Sequence, residues 1–188
     1  MIIHTTAKTS EDLTGILELQ QKNLVKNISP EEASSQGYVS VVHSFEDLKK
    51  LNDEEPHQVV QSGSAIVGYI LAMTKKAKTD IPLLIPMFGL FDELMFRGKP
   101  VSTFNYMVVG QVCIDTGFRG TGLFDECYQA YKKRLSTKYS FAVTAIATSN
   151  TRSARAHERM GFSELHRFTD PAGVEWSVVV WDWQLDPA

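Results

Sequence analysis

The chain has 188 residues, enough for one well-buried core, and no serine- or proline-rich linker divides it, so we predict one domain over residues 1–188. A net charge of -3 argues against a broad nucleic-acid-binding surface. The sequence has no apolar run of about 18 residues and no basic-then-hydrophobic amino terminus, which argues against a membrane span and a signal peptide. We therefore expect a soluble cytoplasmic protein without nucleic-acid or membrane partners.

The amino-terminal part predicts a strand followed by capped helices. Residues 1–4 suit a short strand, and the sequence at 9–12, Thr-Ser-Glu-Asp, is typical of a helix start with acids in the first turn. Apolar residues between 13 and 24 then recur on one helical face. At 29–32, Ser-Pro-Glu-Glu is a stronger start signal, and Gly37 should end that short helix.

The middle of the chain predicts a hairpin. Residues 57–61 and 65–73 are rich in strand-forming side chains, and Ser-Gly-Ser at 62–64 separates them. Gly68 inside the second run indicates a bulge or a close approach by another backbone.

Residues 81–104 are unusually apolar for a connection that holds three prolines. Such a segment must be covered by other parts of the molecule. One interpretation is a satellite core under a long loop, or a homodimer face, and another is a wall of the substrate pocket. The two interpretations are compatible, and neither is favoured.

The stretch 110–162 predicts a strand, a glycine-rich turn, a helix, a strand, an asparagine turn and a helix. In the turn at 117–122, Gly120 and Gly122 let a ligand lie against the backbone, and the free N–H groups of a helix start attract phosphate. An ordinary glycine-rich turn is the alternative. The spacing matches neither GxxxxGK[ST] of NTPases nor GxGxxG of dinucleotide-binding proteins.

The carboxyl-terminal part predicts a final hairpin, with arms at 163–167 and 176–183 around a turn at 170–173. The order of elements implies an α/β fold built on a mixed sheet. Cys113 and Cys127 stand inside a predicted strand and helix and form no CxxC pair, so we interpret them as core thiols.

Two motifs in this stretch resemble those of the GNAT superfamily of N-acetyltransferases. Residues 117–122, Gly-Phe-Arg-Gly-Thr-Gly, match the last two glycines of its [QR]xxGx[GA] turn. A second family pattern places an Asn, a small residue three positions later, a Tyr at seven, and Gly-Phe at eleven and twelve. It is matched by Asn150, Ser153, His157, Gly161 and Phe162, with His157 in place of tyrosine.

The resemblance implies a GNAT-type, largely antiparallel sheet flanked by helices, with a splayed central strand pair that binds acetyl-CoA. The turn backbone would hold the pyrophosphate, and the strand edge would pair with the pantetheine arm. Asn150 would bind that arm from the other side, and a backbone N–H near Cys113 would stabilise the oxyanion. The cofactor-binding residues implied are Val112, Cys113, Ile114, Arg119, Gly120, Thr121, Gly122, Leu123, Phe124, Asn150 and Ser153, and no metal is expected.

The catalytic side departs from the family. Gly117 stands where Gln or Arg is usual, Phe124 replaces a small residue, and Gln111 and Cys113 occupy strand positions that often hold a carboxylate. His157 is our candidate for the acid that protonates departing CoA, because an imidazole titrates near neutrality. The alternative is a histidine packed beside Phe162.

No base can be assigned from the sequence, although neutralising a lysine-like amine at pH 7 costs about 4 to 5 kcal/mol. Asp115, Asp92, Glu93 or a chain of waters could serve. Arg152 and Arg155 are interpreted as a solvated helix face that could also reach the CoA phosphates.

We therefore expect an acetyltransferase that moves acetyl from acetyl-CoA to a primary amine, either a small molecule or a peptide. A GNAT-like acyl-CoA-binding sensor or partner module is the alternative, and a nucleotide-binding regulator is a third. A homodimer is a further expectation, because residues 81–104 are apolar. The acceptor cannot be identified from the sequence.

Overall fold

The computed structural model describes residues 1–81 and 84–184. In chain order its strands are β1 (Ile2–Thr6), β2 (Gln58–Ser62), β3 (Ala65–Met73), β4 (Met95–Phe96), β5 (Lys99–Pro100), β6 (Met107–Ile114), β7 (Phe141–Ala147), β8 (Ser163–Thr169) and β9 (Glu175–Asp182). Its α-helices are α1 (Ser10–Asn23), α2 (Pro30–Gln36), α3 (Phe45–Glu54), α4 (Ala77–Asp80), α5 (Ile85–Glu93), α6 (Leu123–Leu135) and α7 (Thr151–Arg159).

Seven strands form one sheet in the order β1-β2-β3-β6-β7-β9-β8, and β4 and β5 form a separate small hairpin. Every neighbouring pair in the large sheet is antiparallel except β6 and β7, which are parallel. Helix α6 packs on one face of this sheet, and α1 and α3 pack on the other. The predicted mixed, largely antiparallel sheet flanked by helices is confirmed. No helix in the described part of the chain is long and apolar enough to cross a bilayer.

The central strands β6 and β7 part soon after they begin. Their parallel pairing ends at Val108 opposite Val143, although both strands continue. On the other side of β6, the two-residue step 70–72 of β3 faces the three-residue step 109–112. Strand β6 therefore carries a bulge, and a bulge bends its strand. The predicted splayed strand pair is confirmed, and the bulge accounts for the splay.

The predicted helix starts are present with their capping bonds. Thr9 caps α1 in a capping box, in which its hydroxyl accepts from the N–H of Asp12 and the Asp12 carboxylate accepts from the N–H of Thr9. Ser29 accepts from the N–H of Glu32 at 3.1 Å. Helix α2 ends at Gly37, whose φ of 76° favours glycine.

The described part of 81–104 is structured and forms α5, β4 and β5. Phe88, Phe91 and Val101 are fully buried in a cluster against the strands β6, β7 and β9. These side chains therefore form a satellite core, as one of the two interpretations predicted. Pro82 and Leu83 lie outside the described residues. The homodimer stays a prediction.

Three histidines are held neutral by burial. His57 is fully buried, its Nδ1 accepts from the Ala72 N–H at 3.1 Å, and its Nε2 donates to the Leu48 carbonyl at 3.2 Å. Loss of solvation lowers the pKa of His57 to about 3 and the pKa of both His43 and His157 to about 4.

These shifts predict an acid-sensitive fold. In the unfolded chain the three imidazoles bind protons near pH 6.5, whereas the native state keeps them neutral down to about pH 4. Their contribution to stability is therefore complete above pH 6.5 and is lost as the pH falls towards 4. Between pH 6.5 and 5 the free energy of unfolding should fall by up to about 1.4 kcal/mol per pH unit for each histidine.

Urea denaturation at intervals of half a pH unit measures this slope. The slope measures how many more protons the unfolded chain binds than the native protein, and His57→Gln should lower that number by about one. His166→Gln, which changes an exposed side chain, should leave the slope unchanged. A flat free energy of unfolding between pH 6.5 and 5 would contradict the prediction.

Candidate functional site

A cleft of about 770 Å³ opens beside the end of β6. Its lining residues come from five parts of the chain: Asn23 at the end of α1, 34–39 in the last turn of α2 and just after it, 112–114 at the end of β6, 118–125 in the turn and first turn of α6, and 151–159 in α7. The parting of β6 from β7 leaves this part of the sheet without a neighbouring strand. The cleft can therefore receive an extended ligand against the backbone of β6.

The glycine-rich turn forms the anion-binding geometry that the sequence predicts. Gly120 and Gly122 have φ angles of 78° and 92°, and a Cβ at either position would meet no atom within 4 Å. Gly122 is the residue before α6, and no side chain caps the helix. The N–H groups of the first helical turn are thus available to a ligand, and the helix dipole favours an anion there.

The structure brings most of the predicted cofactor-binding residues into the cleft wall. These are Val112, Cys113, Ile114, Arg119, Gly120, Gly122, Phe124 and Ser153. Thr121 and Leu123 are not among the lining residues: the Thr121 hydroxyl donates to the Phe118 carbonyl at 2.7 Å, and the Leu123 side chain is in the core. Only their backbone groups could contribute to the turn.

Arg119 offers an unpaired donor at the cleft wall. Its Nε donates to the Ile114 carbonyl at 3.1 Å, and its Nη2 donates to the side-chain oxygen of Asn23. Its Nη1 is buried and has no partner among the described residues. Because an unpaired buried donor is costly, a ligand oxygen beside it would be stabilising. The orphaned guanidinium nitrogen and the open turn both fit an anionic ligand.

Cys113 lies in the cleft wall as a thiol. It is 6% exposed, and burial raises its pKa to about 12. At neutral pH the thiolate that a nucleophilic cysteine needs is therefore not populated. This agrees with the interpretation of Cys113 as a core thiol.

Gln111 is fixed beside the bulge by a buried polar network. Its side-chain oxygen accepts from Gln20 at 2.8 Å and from the Tyr69 hydroxyl at 2.6 Å, and its amide nitrogen donates to the Val41 carbonyl at 2.9 Å. A satisfied buried network of this kind makes the local structure rigid. Gln111 therefore orders the strand at a position that often holds a carboxylate in the superfamily its motifs resemble.

Asn150 holds a wall of the cleft. Its side-chain oxygen accepts from the Ser153 N–H at 3.3 Å, which caps α7, and its amide nitrogen donates to the Tyr38 carbonyl at 3.1 Å. The Tyr38 hydroxyl is 3.1 Å from the Ser149 hydroxyl. Asn150 is buried and is not among the lining residues, so in this structure its amide binds protein groups where a pantetheine contact was predicted.

Sequence reasoning missed the wall at 34–39. Its sequence predicted only the end of a short helix at Gly37, which is present. Two hydrogen bonds, from the Val25 N–H to the Val39 carbonyl at 3.0 Å and from the Val39 N–H to the Asn23 carbonyl at 3.1 Å, place this segment beside the cleft. Because these contacts join distant parts of the chain, no local signal could have found them.

His157 is buried behind the cleft. Its Nδ1 donates to the Ser153 carbonyl at 2.8 Å, and its Nε2 accepts from the Tyr128 hydroxyl at 2.8 Å. It packs edge-to-face against Phe124 and Phe162, is 2% exposed, and is not among the lining residues. Ser153 is a lining residue, and its hydroxyl lies 3.4 Å from Nδ1. His157 can therefore reach a ligand only through Ser153.

The three carboxylates considered as a base are not in the wall. Asp115 accepts from the Gly117 N–H at 2.9 Å and orders the turn, and Asp92 accepts from the Tyr106 hydroxyl and is paired with Lys78. Glu93 is exposed on α5.

Asp125 is the one carboxylate among the described residues that line the cleft, and Arg159 binds both of its oxygens, at 2.6 and 3.1 Å. In the described part of the chain, no three His, Cys, Asp or Glu side chains are grouped to hold a metal ion. The lining is thus basic, with one carboxylate that is already paired.

No family model and no curated protein sequence matches the chain. The fold is similar to that of a ribosomal-protein alanine N-acetyltransferase from Escherichia coli, at 10% identity, 100% coverage of this chain, 97% of that chain and a TM-score of 0.64. It is also similar to the NatC complex bound to Gag peptide and CoA, at 12% identity, 96% and 98% coverage and a TM-score of 0.66. A third similar structure is that of Arabidopsis thaliana NAA60 in complex with acetyl-CoA. Its sequence identity is 12%, the alignment covers 97% of this chain and 99% of that chain, and the TM-score is 0.64.

The geometry of the turn predicts the cost of adding a side chain there. Gly122→Ala should destabilise the protein by about 1 to 2 kcal/mol, because a Cβ is strained at a φ of 92°. Gly63→Ala, in the β2–β3 turn with a φ of 62°, should cost a similar amount. Gly89→Ala, which meets open space inside α5 without a positive φ, should be neutral or stabilising. Urea denaturation measures the free energy of unfolding of all three variants. A Gly122→Ala variant as stable as the wild type would contradict the assigned backbone conformation.

Proposed function

We propose that this chain, which has the fold of the GNAT N-acetyltransferases, transfers acetyl from acetyl-CoA directly to a primary amine. The observation that carries the proposal is the cleft beside the parted strands β6 and β7, with an uncapped helix N-terminus at its wall. An extended arm that ends in phosphates suits this shape and polarity.

The residues present fit acetyl-CoA, which would supply an activated acetyl thioester. The first-turn N–H groups of α6 and the unpaired Nη1 of Arg119 would bind the pyrophosphate. The edge of β6 at 112–114 would offer backbone groups to the amide-rich pantetheine arm. A backbone N–H near Cys113 is the proposed donor to the developing oxyanion.

The chemistry of the wall favours an acceptor amine of low basicity. Asp125, its one described carboxylate, has both oxygens bound by Arg159, so the described wall offers no unpaired carboxylate as a base. A peptide α-amine, with a pKa near 7.7 to 8.0, is neutralised at pH 7 for about 1 kcal/mol, against about 4 to 5 kcal/mol for a lysine-like amine. We therefore propose a peptide amino terminus ahead of a polyamine or lysine side chain.

His157 is proposed to act through Ser153. The imidazole holds the Ser153 carbonyl and lies 3.4 Å from the Ser153 hydroxyl, which faces the cleft. A hydroxyl placed in this way can take the proton that the amine nitrogen loses as it passes its own proton to the departing thiolate, so that the hydroxyl is regenerated while His157 fixes its position. His157 is thus a positioning residue in the proposal, and its neutral form serves this role throughout the pH range of the assay.

Binding and transfer should be measured separately. Acetyl-CoA should raise the melting temperature more than ATP, NAD or longer acyl-CoAs, and release of free thiol should be faster with peptide α-amines than with spermidine or N-α-blocked lysine at pH 7. The difference should narrow at pH 9, where more of the basic amine is neutral. Gly122→Ala should weaken acetyl-CoA binding, whereas Gly63→Ala, equally strained but distant, should not.

The two alternatives give different results in this experiment. Tight acetyl-CoA binding without transfer to any amine would favour an acyl-CoA sensor or partner module. A larger stabilisation by ATP or NAD would favour a nucleotide-binding regulator and overturn the proposal.

His157→Phe tests whether His157 positions the Ser153 hydroxyl. The variant keeps an aromatic ring in the packed site but removes both hydrogen bonds, so turnover should fall by roughly tenfold or more while acetyl-CoA affinity changes less. Ser153→Ala should reproduce the loss of turnover. Tyr128→Phe, which removes only the outer partner, serves as the packing control. If His157→Phe turns over at the wild-type rate, His157 has no part in the reaction.

A further inference from the structure

Two cations in the cleft wall have no hydrogen-bond or ion-pair partner among the described residues. Arg152 and Arg155 lie on α7, line the cleft and are exposed. Neither makes a hydrogen bond or ion pair with another residue in 1–81 or 84–184. Arg159, which also lines the cleft, is by contrast bound to Asp125. The two arginines without a partner, Arg152 and Arg155, therefore both lie in the first two turns of α7.

An anion bound at the glycine-rich turn does not explain why Arg152 and Arg155 carry two further positive charges in the cleft wall. In the proposed function, the uncapped start of α6 and the unpaired Nη1 of Arg119 bind the pyrophosphate. Arg152 and Arg155 add two positive charges that no described carboxylate of the cleft offsets, in a chain whose net charge is -3. A local excess of this kind predicts a second anionic group on the ligand.

We propose that Arg152 and Arg155 bind the 3′-phosphate of the coenzyme, so that the site selects CoA over 3′-dephospho-CoA. This inference rests on the proposed function. A phosphate monoester carries about -1.5 to -2 charges at pH 7. One guanidinium group can bind two of its oxygens at once. The monoester is therefore the group of CoA that two free arginines complement best.

Titration calorimetry with CoA and with 3′-dephospho-CoA tests the selection. The wild type should bind CoA about tenfold more tightly, and the double variant Arg152→Gln/Arg155→Gln should lose this preference. Its affinity for 3′-dephospho-CoA should stay within about twofold of the wild type, since the turn is unchanged. The control Lys50→Gln/Lys133→Gln removes the same charge from exposed residues outside the cleft and should keep the preference.

The origin of the preference can be checked by salt and pH. The preference for CoA over 3′-dephospho-CoA should be smaller at high ionic strength, because both arginines are exposed. It should also be smaller below about pH 6, where the phosphate monoester loses one charge. Equal affinities in the wild type, or a preference that survives in the arginine double variant, would overturn this inference and leave the proposed function intact. Binding of neither ligand would overturn both.

Discussion

The bulge in β6 is the constraint on which the rest of the site depends. One extra residue opposite β3 bends the strand, and from that point β6 has no partner on its β7 side. Two residues of the bulge, Gly110 and Gln111, make close contacts with the neighbouring structure. Gly110 is so close to Met73 that a Cβ would lie 2.1 Å from the Met73 Cε, and Gln111 is tied into a buried hydrogen-bond network. Without this bend, β6 and β7 would pair along their length and the cleft would close.

Local signals were sufficient for most of the fold. The caps at Thr9 and Ser29, the glycine that ends α2, and both hairpins depend on residues near one another in sequence, so their patterns carry the information. Helix α5 was not predicted, because its apolar residues and its proline suggested a connection. Pro86, however, lies in the first turn of α5, where a proline is compatible with a helix.

The candidate site was predictable on one side only. The turn and the β6 edge follow from glycine positions and strand alternation, and those residues line the cleft. Asn150 and His157 occupy the sequence positions of a family pattern, but their surroundings are set by Tyr38 and Tyr128, which come from other parts of the chain. Starting the turn pattern at Arg119 supplies the arginine and Gly122 but places Phe124 where Gly or Ala is usual, so either alignment keeps one departure from the pattern.

The segment at 34–39 is shared between two parts of the molecule. Through Val39 it is bonded to the end of α1, and through the Tyr38 carbonyl it is bonded to the residue that caps α7. Gly37 has no room for change, because a Cβ there would lie 3.0 Å from the Asn150 side-chain oxygen. A loop exchanged between α2 and α3 would therefore alter the mouth of the cleft even if every residue of the glycine-rich turn were kept. In a redesign of this protein, that segment and the start of α7 would therefore have to be changed together.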